Sequence, residues 1–295
     1  MFTQLFGNYL LRKGVVTPDQ LVSAIKASCE SHVKLGTLCI HAGIMSASEV
    51  EKVYILQTHR DARFGEIAIE EGYITPSQLE DVMEDQSPHY LVLAQELIER
   101  GIITHDELEK LLGEYSKETG LNDINVLNEQ RDQLHTLVEN FIHQSNISRD
   151  NVIIDYIQLL FNDLIRFIGD DFTPLNLIPF NDYKNVVCAT QEIEGHYNIS
   201  TAVDMSEATA IEFAKRYAGE TFTQFDEYVS ASLEDFLNLH NGLFLINVSN
   251  NENIELKLMP PLSIGKGDLK QSDNTYLLPL SYTFGTVNFL IGLND

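Results

Sequence analysis

Four glycines, Gly14, Gly43, Gly72 and Gly101, stand 29 residues apart. A second register runs in phase with them: Gly7, Gly36 and Gly65, with Ala94 in the fourth place. A third is apolar: Leu21, Val50, Leu79 and Leu108. Three registers in phase over four copies make the first half of the chain an internal repeat. Units of this length are single supersecondary elements that bury their apolar faces on one another. Each copy reads as two short helices. Arg63–Gly72 is apolar at helical spacing, and its terminal glycine suits a left-handed helix end. Thr75 then caps a second helix with Pro76 in its first turn, and Leu79, Val82 and Met83 share one face of it. Thr17-Pro18 repeats the signal, while Ser46 and Thr104 supply the cap without proline.

Beyond Gly120 the pattern changes. Apolar residues at helical spacing over 123–145 predict a connecting helix, and a second, strongly apolar helix is expected over about 150–168. Gly169-Asp-Asp-Phe-Thr-Pro174 breaks it. Residues 186–204 predict a β-hairpin around Glu194-Gly195, Ser206 caps a helix through Tyr217, and a longer helix follows from about Phe225 to Val248. Strands are expected near 254–259, 275–284 and 286–293, the last two joined at Gly285. The predicted fold class is α+β: an all-α repeat of helical hairpins over 1–118, a connecting helix over 119–149, and a domain over 150–295 with helices against an antiparallel sheet.

Charge narrows the function. Forty-four acids against 19 bases give a net charge of −25, which repels nucleic acids and anionic membrane surfaces. Neither nucleic-acid binding nor membrane insertion is expected; no run approaches the 18 or so apolar residues of a membrane span. The three cysteines lack C-x-x-C spacing and fit free thiols in a reducing compartment. A cytoplasmic protein is expected.

The long helix carries the most specific signal, Ser232-Leu-Glu-Asp-Phe-Leu-Asn-Leu-His-Asn-Gly-Leu-Phe244. Leu233, Phe236, Leu237, Leu243 and Phe244 supply an inner face. Asp235, Asn238 and Asn241 recur every third residue with Gly242 beside them, which predicts one polar stripe open to a partner. Two asparagines and a glycine inside a helix cost about 0.5–1 kcal/mol each against alanine. His240 has no Ser-His-Asp or Cys-His companions nearby and is read as structural. Gly265-Lys-Gly267 is read as a turn between strands, and acid runs such as Glu80-Asp81 as solvated helix faces.

Asp235-Phe-Leu-Asn238, with Gly242 four residues later and this order of elements, resembles the CheX/CheC/FliY family of chemotaxis phosphatases, over roughly residues 150–295. The family signature is Glu-x-x-Asn, so this chain departs from it by a shorter acid; Glu234 points about 100° away around the helix and does not replace it. The resemblance implies that the chain binds a phosphorylated CheY-type receiver. Asn238 would orient a water for attack on the receiver's phosphoaspartate, and Asp235 would bind the receiver's lysine, with Asn241 and Gly242 at the contact. It further implies magnesium held by the receiver, no cofactor of the chain's own, and a homodimer. The alternative reading is a noncatalytic receiver-binding adaptor.

The third repeat, with Arg63, Gly65, Gly72, Leu79 and Gln86, and the second, with Lys34, Gly36, Gly43, Val50 and Gln57, resemble the N-terminal domain of GspE/MshE-type secretion and pilus-assembly ATPases. Some members of that family bind cyclic di-GMP through two such motifs in tandem. The resemblance places a nucleotide site on Lys34, Gly36, Gln57, Arg63, Gly65 and Gln86; backbone N–H groups exposed at glycine and one cation per phosphate would supply the binding. Cys39 and Ala68 depart from the motif's leucines. The outer copies lack its polar ends, with Leu5, Ser28, Val92 and Tyr115 in their places. Protein docking on a helical scaffold is the other reading of this half.

Overall fold

The computed structural model describes residues 2–28, 32–84, 89–119, 151–180, 183–267, 269 and 274–294. The chain divides into two compact units, Phe2–Val126 and Leu127–Asp295. The predicted connecting helix lies outside the described residues.

The first unit holds four helical hairpins: α1 (Phe2–Arg12) with α2 (Pro18–Ala27), α3 (Leu35–His41) with α4 (Ala47–Gln57), α5 (Phe64–Glu70) with α6 (Pro76–Glu84), and α7 (His89–Glu99) with α8 (His105–Thr119). The glycine of the first register ends the first helix of every hairpin in the left-handed region, with φ between 67° and 76° at Gly14, Gly43, Gly72 and Gly101. A side chain there would be strained. The second helix of each copy opens on a reciprocal cap. Thr17 with Gln20, Ser46 with Glu49, Thr75 with Gln78 and Thr104 with Glu107 exchange side-chain and backbone hydrogen bonds. These capping boxes satisfy orphan N–H groups at four helix starts and form a fourth register in phase with the other three.

The second and third registers turn out to be one device. A Cβ on Gly36 would lie 2.7 Å from Val50 Cγ1, and one on Gly65 would lie 3.1 Å from Leu79 Cδ2. In the second and third copies the apolar residue of the second helix thus crosses the first helix at its glycine, where only a missing side chain leaves room. The outer copies meet each other: the Tyr115 ring packs on Phe6 at 5.2 Å and on Tyr9 at 5.0 Å, and Lys13 reaches Glu114 at 3.2 Å. Leu5 and Tyr115, which replace polar ends of the motif, are both buried. Tyr115 thus joins the core between the first and fourth copies.

The second unit has the expected α+β plan. A single antiparallel sheet has the order β1-β7-β8-β4-β3-β5, with β2 also on β7 and β6 also on β3. Its strands are β1 (Phe172–Pro174), β2 (Ile178–Pro179), β3 (Val187–Gly195), β4 (Asn198–Met205), β5 (Leu256–Leu258), β6 (Leu262–Ile264), β7 (Thr275–Tyr282) and β8 (Gly285–Asn294). The β3–β4 hairpin turns at His196-Tyr197, one residue past the expected glycine. β1, β2 and β6, each of two or three residues, are too short to show a period of two.

Among the described residues three helices accompany the sheet: α9 (Asn151–Phe167), α10 (Glu207–Ala218) and α11 (Glu227–Glu252). Ser206 caps α10, which ends at left-handed Gly219. Asp226 caps α11 through the backbone N–H groups of Tyr228 and Val229, both at 3.1 Å, so this helix starts two residues later than expected. Val229, Leu233, Phe236, Leu237, Phe244 and Val248 form its buried stripe. Phe236 meets Phe213 of α10 at 5.2 Å and Phe289 of β8 at 6.2 Å. Fully burying such side chains is worth about 1.5–3 kcal/mol each, so α11 sits firmly on the sheet and shows its opposite face outward. No described helix is long and apolar enough to cross a membrane.

Candidate functional site

The outward face of α11 carries Tyr228, Ala231, Asp235, Asn238, Gly242 and Ile246, at steps of three and four residues along one stripe. Asp235 and Asn238 are exposed. Tyr228 and Ile246, at the two ends, are 66% and 57% exposed, large apolar side chains bracketing a polar centre. A Cβ on Gly242 would meet nothing within 4 Å, so internal packing does not require glycine there. An open hollow of about 470 Å³ adjoins Asp235, with Phe167, Tyr217 and Tyr228 among its walls.

Both polar side chains are held. Tyr217, at the end of α10, donates its hydroxyl to Asp235 Oδ2 at 2.7 Å. Burial, then this bond, pushes the phenol's pKa upward, so it remains a donor. Asn238 Oδ1 accepts from Gln191 Nε2 of β3 at 2.8 Å. Glu234, one residue from Asp235, accepts instead from Ser263 of β6, which agrees with its pointing away from the stripe.

Asn241 corrects the expected stripe. It is fully buried and cannot meet a partner. Its Nδ2 donates to Gln191 Oε1 at 2.9 Å and Thr201 Oγ1 at 2.8 Å, and its Oδ1 accepts from Tyr156 at 2.8 Å. Steps of three residues turn about 60° backward around a helix, so two of them carry the third residue off the face and into the core. Gly242, seven residues past Asp235, returns to within about 20°. His240 is likewise interior, with Nδ1 2.7 Å from Asp163 Oδ2.

Gln191 and Tyr217 were not anticipated. Gln191 had a signal: it occupies an inward position of β3, alternating with Ala189 and Ile193, where an amide is out of place unless it is bonded. Tyr217 at a helix end has none.

The residues expected at the nucleotide site of the first unit are placed as follows among the described residues. Gly36 and Gly65 are buried, and their missing side chains make room for Val50 and Leu79. Lys34 Nζ faces Glu99 at 2.9 Å, and Gln57 Nε2 bonds to the Ala62 carbonyl at 3.2 Å. Arg63 is exposed at the start of α5, where its backbone N–H meets Glu66. Gln86 lies outside the described residues. Among the described residues no group of three or more His, Cys, Asp or Glu side chains is placed to hold a metal ion.

No protein-family model and no curated protein matches this chain. Solved structures do. A CheC-like superfamily protein from Shewanella sp. PV-4 is 20% identical and aligns over 49% of this chain and 97% of its own, with a TM-score of 0.44. The chemotaxis protein CheX from Vibrio vulnificus is 14% identical over 49% of this chain and 100% of its own, with a TM-score of 0.44. A chain of the CheX–CheY–BeF3–Mg complex from Borrelia burgdorferi is 18% identical over 49% of this chain and 98% of its own, with a TM-score of 0.43.

Proposed function

We propose that the chain docks a phosphorylated CheY-type receiver on the outward face of α11 and hydrolyses its phosphoaspartate. One observation carries this reading: Asp235 and Asn238 project from the same exposed helical face, each fixed by a hydrogen bond from beneath, beside a glycine that packing does not explain. A solvated structural helix has no reason to hold surface side chains in place or to tolerate glycine there. A docking surface has both.

The chemistry asked of this face is positioning. The receiver holds the magnesium and the labile acyl phosphate, so catalysis needs a water in line with phosphorus and a fixed docked pose. Asn238 contacts that water, which adds to phosphorus as the phosphorus–oxygen bond to the receiver's aspartate breaks and inorganic phosphate leaves. Asp235 pairs with the receiver's lysine. The acid is one methylene shorter than glutamate, and Tyr217 compensates by fixing one carboxylate oxygen, leaving Oδ1 for the partner. Tyr228 and Ile246 supply apolar contact on either side. With a net charge of −25, the chain suits a receiver face that is neutral or basic.

The test is the decay of phosphorylated CheY-type receivers with the wild-type chain and with Asn238→Ala. Accelerated decay that falls at least a hundredfold in the variant, with receiver binding retained, is expected. Binding without acceleration by the wild type would leave the noncatalytic adaptor.

A further inference from the structure

Gln191 is buried, and its amide is the hub of a relay between α9, the sheet and α11. The relay has only one consistent direction, because two of its members are backbone carbonyls and can only accept. The Met259 carbonyl lies 2.7 Å from one end of the Gln191 amide, so that end is Nε2. The other end, Oε1, then accepts from Asn241 Nδ2 at 2.9 Å. The Gln191 carbonyl takes the Thr201 hydroxyl proton at 2.8 Å, so Thr201 Oγ1 is also an acceptor towards Asn241. That leaves Asn241 Oδ1 to receive Tyr156. Every donor and acceptor agrees.

The second proton of Gln191 Nε2 goes to Asn238 at 2.8 Å, so the Asn238 atom that faces inward is its oxygen. We infer that Gln191 is a positioning residue: it turns the amide of Asn238 so that Nδ2, with two protons, is the edge presented to the partner. The inference rests on the function proposed above and adds to it the sense in which Asn238 works. It acts as an N–H donor, towards the attacking water or a phosphoryl oxygen. The opposite orientation would aim lone pairs at an oxygen-rich anion and repel it. Burial of Gln191, at 1% exposed, means that it cannot touch a receiver itself.

Gln191→Met keeps the length of the side chain and removes both donors and the acceptor, so Asn238 is free to rotate. The maximal rate of receiver dephosphorylation should fall about tenfold, as misorientation of a catalytic group does, while receiver affinity stays within about twofold of wild type. A merely structural role would lower both. An undiminished rate in folded Gln191→Met overturns the inference. Since the variant could lose its fold, amide proton exchange by NMR on the wild-type chain gives a second decision. The Gln191 side-chain amide protons should be protected and those of Asn238 should exchange freely; the reverse order overturns the assigned orientation. If wild-type protein fails to accelerate receiver decay, the proposed function falls, and the exchange data still decide the orientation by themselves.

Discussion

Replacing Gly242 by alanine should make the chain more stable and a worse binder at once. The glycine lies well inside a 26-residue helix, with ordinary helical backbone and open space where a Cβ would stand. Nothing in the fold opposes the methyl. Alanine is better than glycine in a helix interior by about 0.8–1 kcal/mol, through the backbone entropy of the unfolded chain. For a domain of this size that gain raises the melting temperature by about 2–4 °C. The same methyl stands about 1.5 Å above the helix backbone in the middle of the stripe. Against a closely docked partner, such an intrusion costs about 1–3 kcal/mol, or about five- to 150-fold in affinity. Thermal unfolding followed by circular dichroism gives the first quantity, and titration with a receiver held in its phosphorylated form gives the second.

Opposite signs are what make the experiment informative. A lowered melting temperature would mean that Gly242 supports internal packing, and its use as a sign of docking would fail. A raised melting temperature with undiminished receiver affinity would remove the partner from this face of α11, even if Asn238→Ala abolished activity.

Gly36→Ala should behave oppositely in the first unit. Its Cβ would lie 2.7 Å from Val50 Cγ1 and 2.9 Å from the Tyr54 hydroxyl, and forcing the helices apart costs about 1–3 kcal/mol; unchanged urea unfolding of that unit would refute the crossing as drawn. His240 gives the second unit a pH dependence. Burial lowers its pKa below the ordinary 6.5, so between the two values the unfolded chain takes up a proton that the folded chain refuses. Stability is therefore complete above about pH 6.5 and declines as pH falls through that window. His240→Asn, which retains a donor for Asp163, should flatten the decline, and an unaltered profile in urea unfolding would contradict it.

The repeat was readable because each of its signals has a local cause. A left-handed glycine, a capping threonine or serine and an apolar crossing residue act within one hairpin, and 29-residue spacing exposes them four times over. What spacing could not show was which partner each glycine serves. Gly36 and Gly65 match a ligand motif and a helix crossing equally well as letters; the crossing shows only in the distances to Val50 and Leu79. Tyr115 and Leu5 look like lost motif positions until the first copy is seen against the fourth. Contacts between residues a hundred positions apart leave no period in a sequence.

In the second unit the same distinction falls between two asparagines on one helix. Asn238 and Asn241 have the same helix propensity, and both are poor choices for a helix interior. One is explained by the core: three partners use both ends of the Asn241 amide, and each would lose a buried hydrogen bond without it, at about 1–3 kcal/mol per group left unpaired. The other is not, since a single bond to Gln191 engages the oxygen of an exposed Asn238 and leaves its nitrogen outward. Stability therefore selects Asn241 and is nearly indifferent to Asn238. The buried amide nevertheless matters to the exposed one, because Gln191 can point its nitrogen at Asn238 only while Asn241 and Met259 fix its other contacts. The polar interior of this domain thus serves orientation as much as cohesion. A hydrophobic replacement of the whole relay could preserve the fold and would still leave Asn238 without a defined edge.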